Sequence, residues 1–149
     1  MTGPKSPADG PRHASARAGT SPAGTGAPVE SGPGRAHTFG FLLVPYFSLF
    51  AFASALEPLR AANRANGQTL YRWQLLSLDG APVPASSGVE INCDAKLEDA
   101  GKLHTLLVVS GLAGIEYDER GTIAWLRRQG RQGVRLGAVS TGAYLLARA

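Results

Sequence analysis

The stretch "GAVSTGAYLLARA", residues 137–149, decides the fold. An apolar run, beginning at Val134, breaks at a small-residue turn and resumes with helical spacing. Ser140 stands at that break, between Val139 and Thr141, with Gly142 two residues on. The order strand, hydroxyl, helix is close to a Gly-x-Ser-x-Gly elbow, with Ala138 in the first glycine place. Such an elbow needs small neighbours so that a strained residue can face the crevice. It also lies at a helix N-terminus, where free N–H groups attract negative charge. The pattern serves either catalysis or ligand binding.

A serine nucleophile needs a base within hydrogen-bond reach, usually a histidine oriented by a carboxylate. The histidines are His13, His37 and His104. His13 falls in an N-terminal tail. His37 and His104 each precede a predicted strand, so both are expected at the amino-end rim, opposite the elbow. Only nine residues follow Ser140, too few to supply a later histidine. Ser140 as nucleophile is therefore the weaker reading. A hydroxyl that caps the last helix and lines a pocket is the stronger one.

Working outward, "FGFLLV" is a short apolar run stopped by Pro45, which predicts a fully buried strand over 39–44. A loop over 45–53 follows. Ser54 and Glu57 have capping-box spacing, Pro58 suits a first turn, and Asn66-Gly67 supplies a stop, predicting a helix over 55–65. Further strands are expected over 71–77, around Ser87-Gly88 with 89–92 the better half, over 105–109, and at "VRLGAVS". "AKLEDAG" reads as a short helical turn. Residues 118–129 carry helical spacing, and residues from Thr141 begin a last helix. Alternating strands and helices imply an α/β fold: a parallel sheet with helices on both faces. Ligands of such sheets bind beyond the carboxyl ends of the strands. Three loops leave those ends, at 45–48, 110–114 and 140–142. The candidate ligand-binding residues are accordingly Tyr46, Phe47, Ser48, Ser110, Gly111, Ser140 and Thr141.

The totals narrow the class. At 149 residues the chain suits one domain. Residues 1–36 are rich in Gly, Pro, Ala, Ser and Thr and nearly lack large apolar side chains, the composition of a disordered tail. Part of the net charge of +4 sits there, so it says little about a nucleic-acid face. No apolar run reaches spanning length and no signal peptide is visible, which favours the cytoplasm. A single cysteine, Cys93, excludes an internal disulfide framework and a cysteine-based metal site. No metal or cofactor is expected. Cys93 reads as a small packing residue, Trp73 and Trp125 as core, and the arginines over 127–135 as solvated. Glu57 reads as part of the capping box. Ser110-Gly111 follows a strand on the crevice side, where its N–H groups are placed to meet a carboxylate or carbonyl.

Two long stretches carry a resemblance: "FGFLLVPYFSLFAFASALEPLRAANRANGQTLYRWQLLSLDGAPVPASSG" and "WLRRQGRQGVRLGAVSTGAYLLARA". Over residues 38–149 the chain resembles the N-terminal domain of GlxA-type regulators of the AraC family. These pair a ThiJ/PfpI-like, class I glutamine amidotransferase-like domain with a C-terminal helix-turn-helix. The resemblance implies a flavodoxin-like sandwich over 37–149, incomplete at its C-terminus. It implies a small-molecule effector, from amino-acid or quaternary-amine catabolism. It also implies DNA contact only through a helix-turn-helix that this chain lacks. Enzymatic relatives place a cysteine at the elbow and an acid in the loop after the first strand. Here those positions are Ser140 and Ala51, so the resemblance implies a retired active site without catalysis. A ThiJ/PfpI-type enzyme (amidase, hydratase or glyoxalase-like) and a serine hydrolase using Ser140 are the alternatives. A sheet lacking its last strands is expected to expose apolar edge, giving a homodimer or poor solubility, which light scattering tests.

Overall fold

The computed structural model describes residues 36–149. The tail expected over 1–36 falls almost wholly outside the described residues. The strands are β1 (His37–Leu43), β2 (Tyr71–Ser77), β3 (Val83–Pro84), β4 (Glu90–Ile91), β5 (Ala95–Lys96), β6 (Thr105–Val109) and β7 (Arg135–Val139). The helices are α1 (Leu49–Asn66), α2 (Arg120–Arg131) and α3 (Gly142–Arg148). Short 3-10 turns occupy Leu97–Asp99 and Leu112–Ile115.

Five strands form one sheet in the order β5-β2-β1-β6-β7, every pair parallel. β1 is the centre, and its apolar run has a physical cause: alternate side chains enter two different cores. Leu42 and Val44 pack with Leu76, Leu106, Val108, Trp125, Leu126 and Leu145. Phe41 and Leu43 pack with Phe47, Phe52, Val83 and Val109. α2 and α3 cover the first face and α1 covers the second. Each fully buried Leu, Phe or Val contributes about 1.5–3 kcal/mol, and a strand buried on both faces collects that on every residue.

The first strand is displaced, from the expected 39–44 to His37–Leu43, and three larger differences follow. α1 begins at Leu49, six residues earlier than the expected 55, because Ser48 caps it: its Oγ accepts from the Ala51 N–H at 3.3 Å. Ser54 and Glu57 are thus mid-helix rather than a capping box, and Glu57 pairs with Arg60 at 2.7 Å. Pro58 lies inside the helix instead of in its first turn. The stop is as read: Gly67 takes a φ of 61° and donates to Arg64. The second move is at "AKLEDAG", where Ala95 and Lys96 add an edge strand beside Leu76 and Ser77 before the turn. The third is α2, which runs two residues beyond the expected 129.

The chain order makes β1 a switch point. From β1 the chain passes to β2 on one side, then returns to β6 on the other. The crevice of an open α/β sheet lies at such a reversal, beyond the carboxyl ends. The loops after β1 and β6 flank it here.

Candidate functional site

The three loops picked from sequence meet at the carboxyl end of the sheet, and glycines hold them there. A Cβ at Gly111 would collide with the Tyr46 carbonyl, one at Gly114 with the Ser110 hydroxyl, and one at Gly142 with the Val108 carbonyl. The Gly111 carbonyl gathers three donors: the Gly114 N–H at 2.9 Å, the Ser110 Oγ at 3.3 Å, and the Thr141 hydroxyl. The turn after β7 is thereby tied to the loop after β6, and that loop lies on the loop after β1. The Gly111 N–H has no acceptor among the described residues.

Among the described residues, Tyr46 and Ser140 are the non-glycine residues with positive φ, at 62° and 56°. Both sit where a strand leaves the sheet. Such a conformation costs an L-residue about 1–2 kcal/mol and concentrates at functional positions. Tyr46 is held by its N–H, which donates to Pro84 at 2.7 Å, and its ring is 58 % exposed. Its neighbour Phe47 is fully buried, edge-on to Phe52 at 5.8 Å, so it supports the loop from below. Ser48 serves α1 as its cap. Ser110 is fully buried and its hydroxyl is spent within its own loop.

Ser140 is exposed, and its hydroxyl hydrogen bonds to no described residue. It does not cap the last helix, contrary to the sequence expectation. The N-cap is Thr141, and the Thr141 side chain goes to Gly111 instead. Ser140 stands one residue before the N-cap position, out of register with the first free N–H groups of the helix.

The imidazoles are at the other end. His37 opens β1 and His104 immediately precedes β6. Their ring centroids are 4.8 Å apart. The Thr38 N–H donates to His104 Nδ1 at 3.0 Å, and His37 Nε2 lies 2.9 Å from Thr105 Oγ1. Burial pushes the His37 pKa below the usual histidine value, and His104 and Arg135 add to the fall. From His104 to Ser110 is six strand steps, roughly 20 Å at about 3.3 Å per residue. No imidazole on that rim reaches the elbow.

Cys93 is half-buried. Burial raises its thiol pKa, Asp94 and Asp79 raise it further, and a hydrogen bond with Ser77 opposes them. It is a packing residue and a poor thiolate. Two of the arginines over 127–135 hold neighbours: Arg127 donates to the Ala149 and Arg148 carbonyls at the end of α3, and Arg128 makes two bonds to Glu98.

Sequence reading missed a second feature at the same end of the sheet. A cleft of about 230 Å³ lies between Leu43 and Pro45, the residues after β2, and the stretch just before α2. Asp79-Gly80 reads from sequence only as the turn that ends β2, Tyr117 to Glu119 carry no motif, and nothing in their order shows that they meet.

Known proteins now place the chain. It is 47% identical over 111 residues to the HTH-type transcriptional regulator CdhR of Pseudomonas aeruginosa, covering 74% of this chain and 33% of that protein. It is 44% identical over 112 residues to the HTH-type transcriptional regulator GlxA of Rhizobium meliloti, covering 74% and 34%. The chain is a homologue of GlxA-type transcriptional regulators, and its fold is ThiJ/PfpI-like. Among solved structures it matches an AraC family transcriptional regulator from Pseudomonas putida with a TM-score of 0.66 at 27% identity, covering 76% of this chain and 70% of that one. A ThiJ/PfpI domain protein from Brachyspira murdochii matches with a TM-score of 0.64 at 12% identity, covering 78% and 65%, and shows the shared fold. No family model matches the chain. The chain spans about a third of the length of the curated relatives it matches. Among the described residues no helix is long and apolar enough to cross a membrane.

Proposed function

We propose that this GlxA-type domain senses a small molecule at the crevice and performs no chemistry on it. The observation that carries the reading is the state of Ser140. It is an exposed alcohol in a strained turn, with no imidazole or carboxylate bonded to it among the described residues. An unassisted alcohol is a weak nucleophile at neutral pH. The same corner is well suited to binding. The Ser140 hydroxyl and the Gly111 N–H are both unspent donors, and Tyr46 supplies an exposed ring above the buried Phe47. With Ser48, Ser110 and Thr141 holding the loops, these residues form the effector site, and the donors suit a carboxylate, carbonyl or hydroxyl oxygen.

In this reading the domain acts in the cytoplasm, as a homodimer, within a regulator of amino-acid or quaternary-amine catabolism. Contact with DNA belongs, in this reading, to a separate helix-turn-helix domain of the kind named in its relatives. The test is thermal denaturation with arginine, choline and carnitine at millimolar concentration. A ligand that binds only the folded state raises the midpoint by mass action. One of the three is expected to do so, and Ser140→Phe, which fills the corner, is expected to abolish the rise. A flat response to all three removes the proposed ligand class.

The strained φ of Ser140 is also what a nucleophile elbow shows. That favours a serine hydrolase as the second reading. Turnover of p-nitrophenyl acetate that disappears in Ser140→Ala would establish it.

A further inference from the structure

At the amino end of the sheet, away from the elbow, a side chain holds β1 where a ladder would use main chain. The Thr38 carbonyl accepts from the His104 N–H at 2.9 Å, and the Thr38 N–H donates to His104 Nδ1 at 3.0 Å. The His104 carbonyl accepts from the Arg135 N–H at 3.1 Å. One residue thus ties β1, β6 and β7 together at their entry. In a regular parallel ladder the Thr38 donor would meet a main-chain carbonyl of the partner strand. A carbonyl accepts at any pH. An imidazole nitrogen accepts only while it carries no proton, and both nitrogens are donors in the cation. Because a backbone N–H can only donate, the bonded His104 ring is neutral, with its hydrogen on Nε2.

From this geometry we propose that His104 is an acid-sensitive clamp: protonation turns Nδ1 into a donor, ejects the Thr38 N–H and frays β1 at its entry. The surroundings reinforce this. His37 faces the ring from β1, with centroids 4.8 Å apart, and its own Nε2 lies 2.9 Å from Thr105 Oγ1. Arg135 comes from β7, paired with Thr105, and Lys102 stands two residues before the clamp. On the far side of β1, β2 supplies Tyr71 and Arg72, level with His37 and Thr38. Arg64 and Arg131 lie in the last turns of the helices that end on this rim. No Asp or Glu occurs in residues 36–44, 60–73, 100–106 or 131–139, so these segments offer no carboxylate to balance an imidazolium. Burial lowers the His37 pKa first, and His104 and Arg135 add to the fall, so charge on one ring opposes charge on the other. The opening stays local. The His37 N–H keeps the Leu70 carbonyl at 2.9 Å, and from Phe39 onward β1 is paired on both sides and anchored by buried side chains.

The test is NMR on the isotope-labelled 149-residue chain. A coupling across the hydrogen bond, between the Thr38 nitrogen and His104 Nδ1, is expected at about pH 7.5, where ordinary imidazoles are neutral, and is expected to vanish at about pH 5, where they are charged. Over the same interval the protection of the Thr38 amide against hydrogen exchange, corrected for the intrinsic rate, should fall about five- to tenfold, as one net hydrogen bond allows, while that of Leu42 changes by less than about twofold. His104→Phe, which offers no acceptor, should leave Thr38 weakly protected at both pH values and abolish the step. His37→Gln should keep both the coupling and the step. A coupling that survives in acid, or a Thr38 protection that does not change with pH, would overturn the assignment. So would an equal fall at Leu42, which would make the opening global, or a step that His37→Gln removes and His104→Phe leaves. The measurements on the unaltered chain decide the matter whether or not either variant folds.

Discussion

The Thr141 hydroxyl donates to the carbonyl of Gly111, thirty residues earlier in the chain. This one bond joins the turn after β7 to the loop after β6. Replacing Thr141 by valine keeps the shape and removes the donor. A net hydrogen bond is worth about 1 kcal/mol, and an under-satisfied buried acceptor costs about 1–3 kcal/mol. Since Gly111 keeps two other donors, Thr141→Val is expected at the lower end, near 1 kcal/mol. Urea denaturation with an unchanged m-value checks it.

Close approach of backbones gives a sharper contrast. A Cβ at Gly111 or Gly142 meets a carbonyl oxygen, whereas one at Gly121, in the first turn of α2, meets nothing within 4 Å. Gly111→Ala and Gly142→Ala should each lose about 3 kcal/mol, the upper range for overpacking. Gly121→Ala should gain about 0.5–1 kcal/mol from helix propensity and a less flexible unfolded chain. If the three variants lost stability equally, the loops would not be packed as described.

Strain at the elbow is open to direct measurement. Ser140 holds a φ of 56°, and glycine adopts that value without steric cost. Ser140→Gly is expected to stabilise the fold by up to about 1 kcal/mol, the relief of strain offset by unfolded-state entropy. Ser140→Val should destabilise it, because a β-branched residue at positive φ is a steric outlier. Thermal midpoints in the order Gly, Ser, Val from highest to lowest support the assignment, and the reverse order contradicts it.

The histidine rim sets a pH dependence. The folded-state pKa of His37 lies below its ordinary value of 6.5. Between those two values the unfolded chain binds more protons than the folded one, so stability rises with pH across that window. The contribution is complete above 6.5 and is lost as the pH falls through it. His37→Gln, which keeps a group able to bond Thr105, should flatten the fall between neutral and mildly acidic pH. An unaltered slope in that variant would assign the effect elsewhere.

Much of this was legible in the order of residues, and for identifiable reasons. A strand buried on both faces has to be continuously apolar, so β1 and β6 announced themselves. β2 was found to the residue, between Leu70 and the Asp79-Gly80 turn. The elbow was legible because Val139-Ser140-Thr141-Gly142 combines a strand end, a small turn and a helix start. The start of α1 was missed because Ser54-x-x-Glu57 imitates a capping box, while Ser48, the true cap, stands before Leu49 and Phe50 and looks like loop. β5 was missed because two residues carry no period; they are strand only because β2 offers them an edge. The roles of Ser110 and Phe47 needed the fold, since burial decides them. The cleft between Asp79 and Glu119 needed it most, since forty residues separate its two charges.

The central claim is that the Ser140 hydroxyl is not activated. The most direct measurement is intact-protein mass after exposure to a fluorophosphonate, which phosphonylates activated serines and spares ordinary ones. The account predicts an unchanged mass after prolonged incubation at neutral pH. One equivalent of probe on the chain, absent from Ser140→Ala, would contradict it.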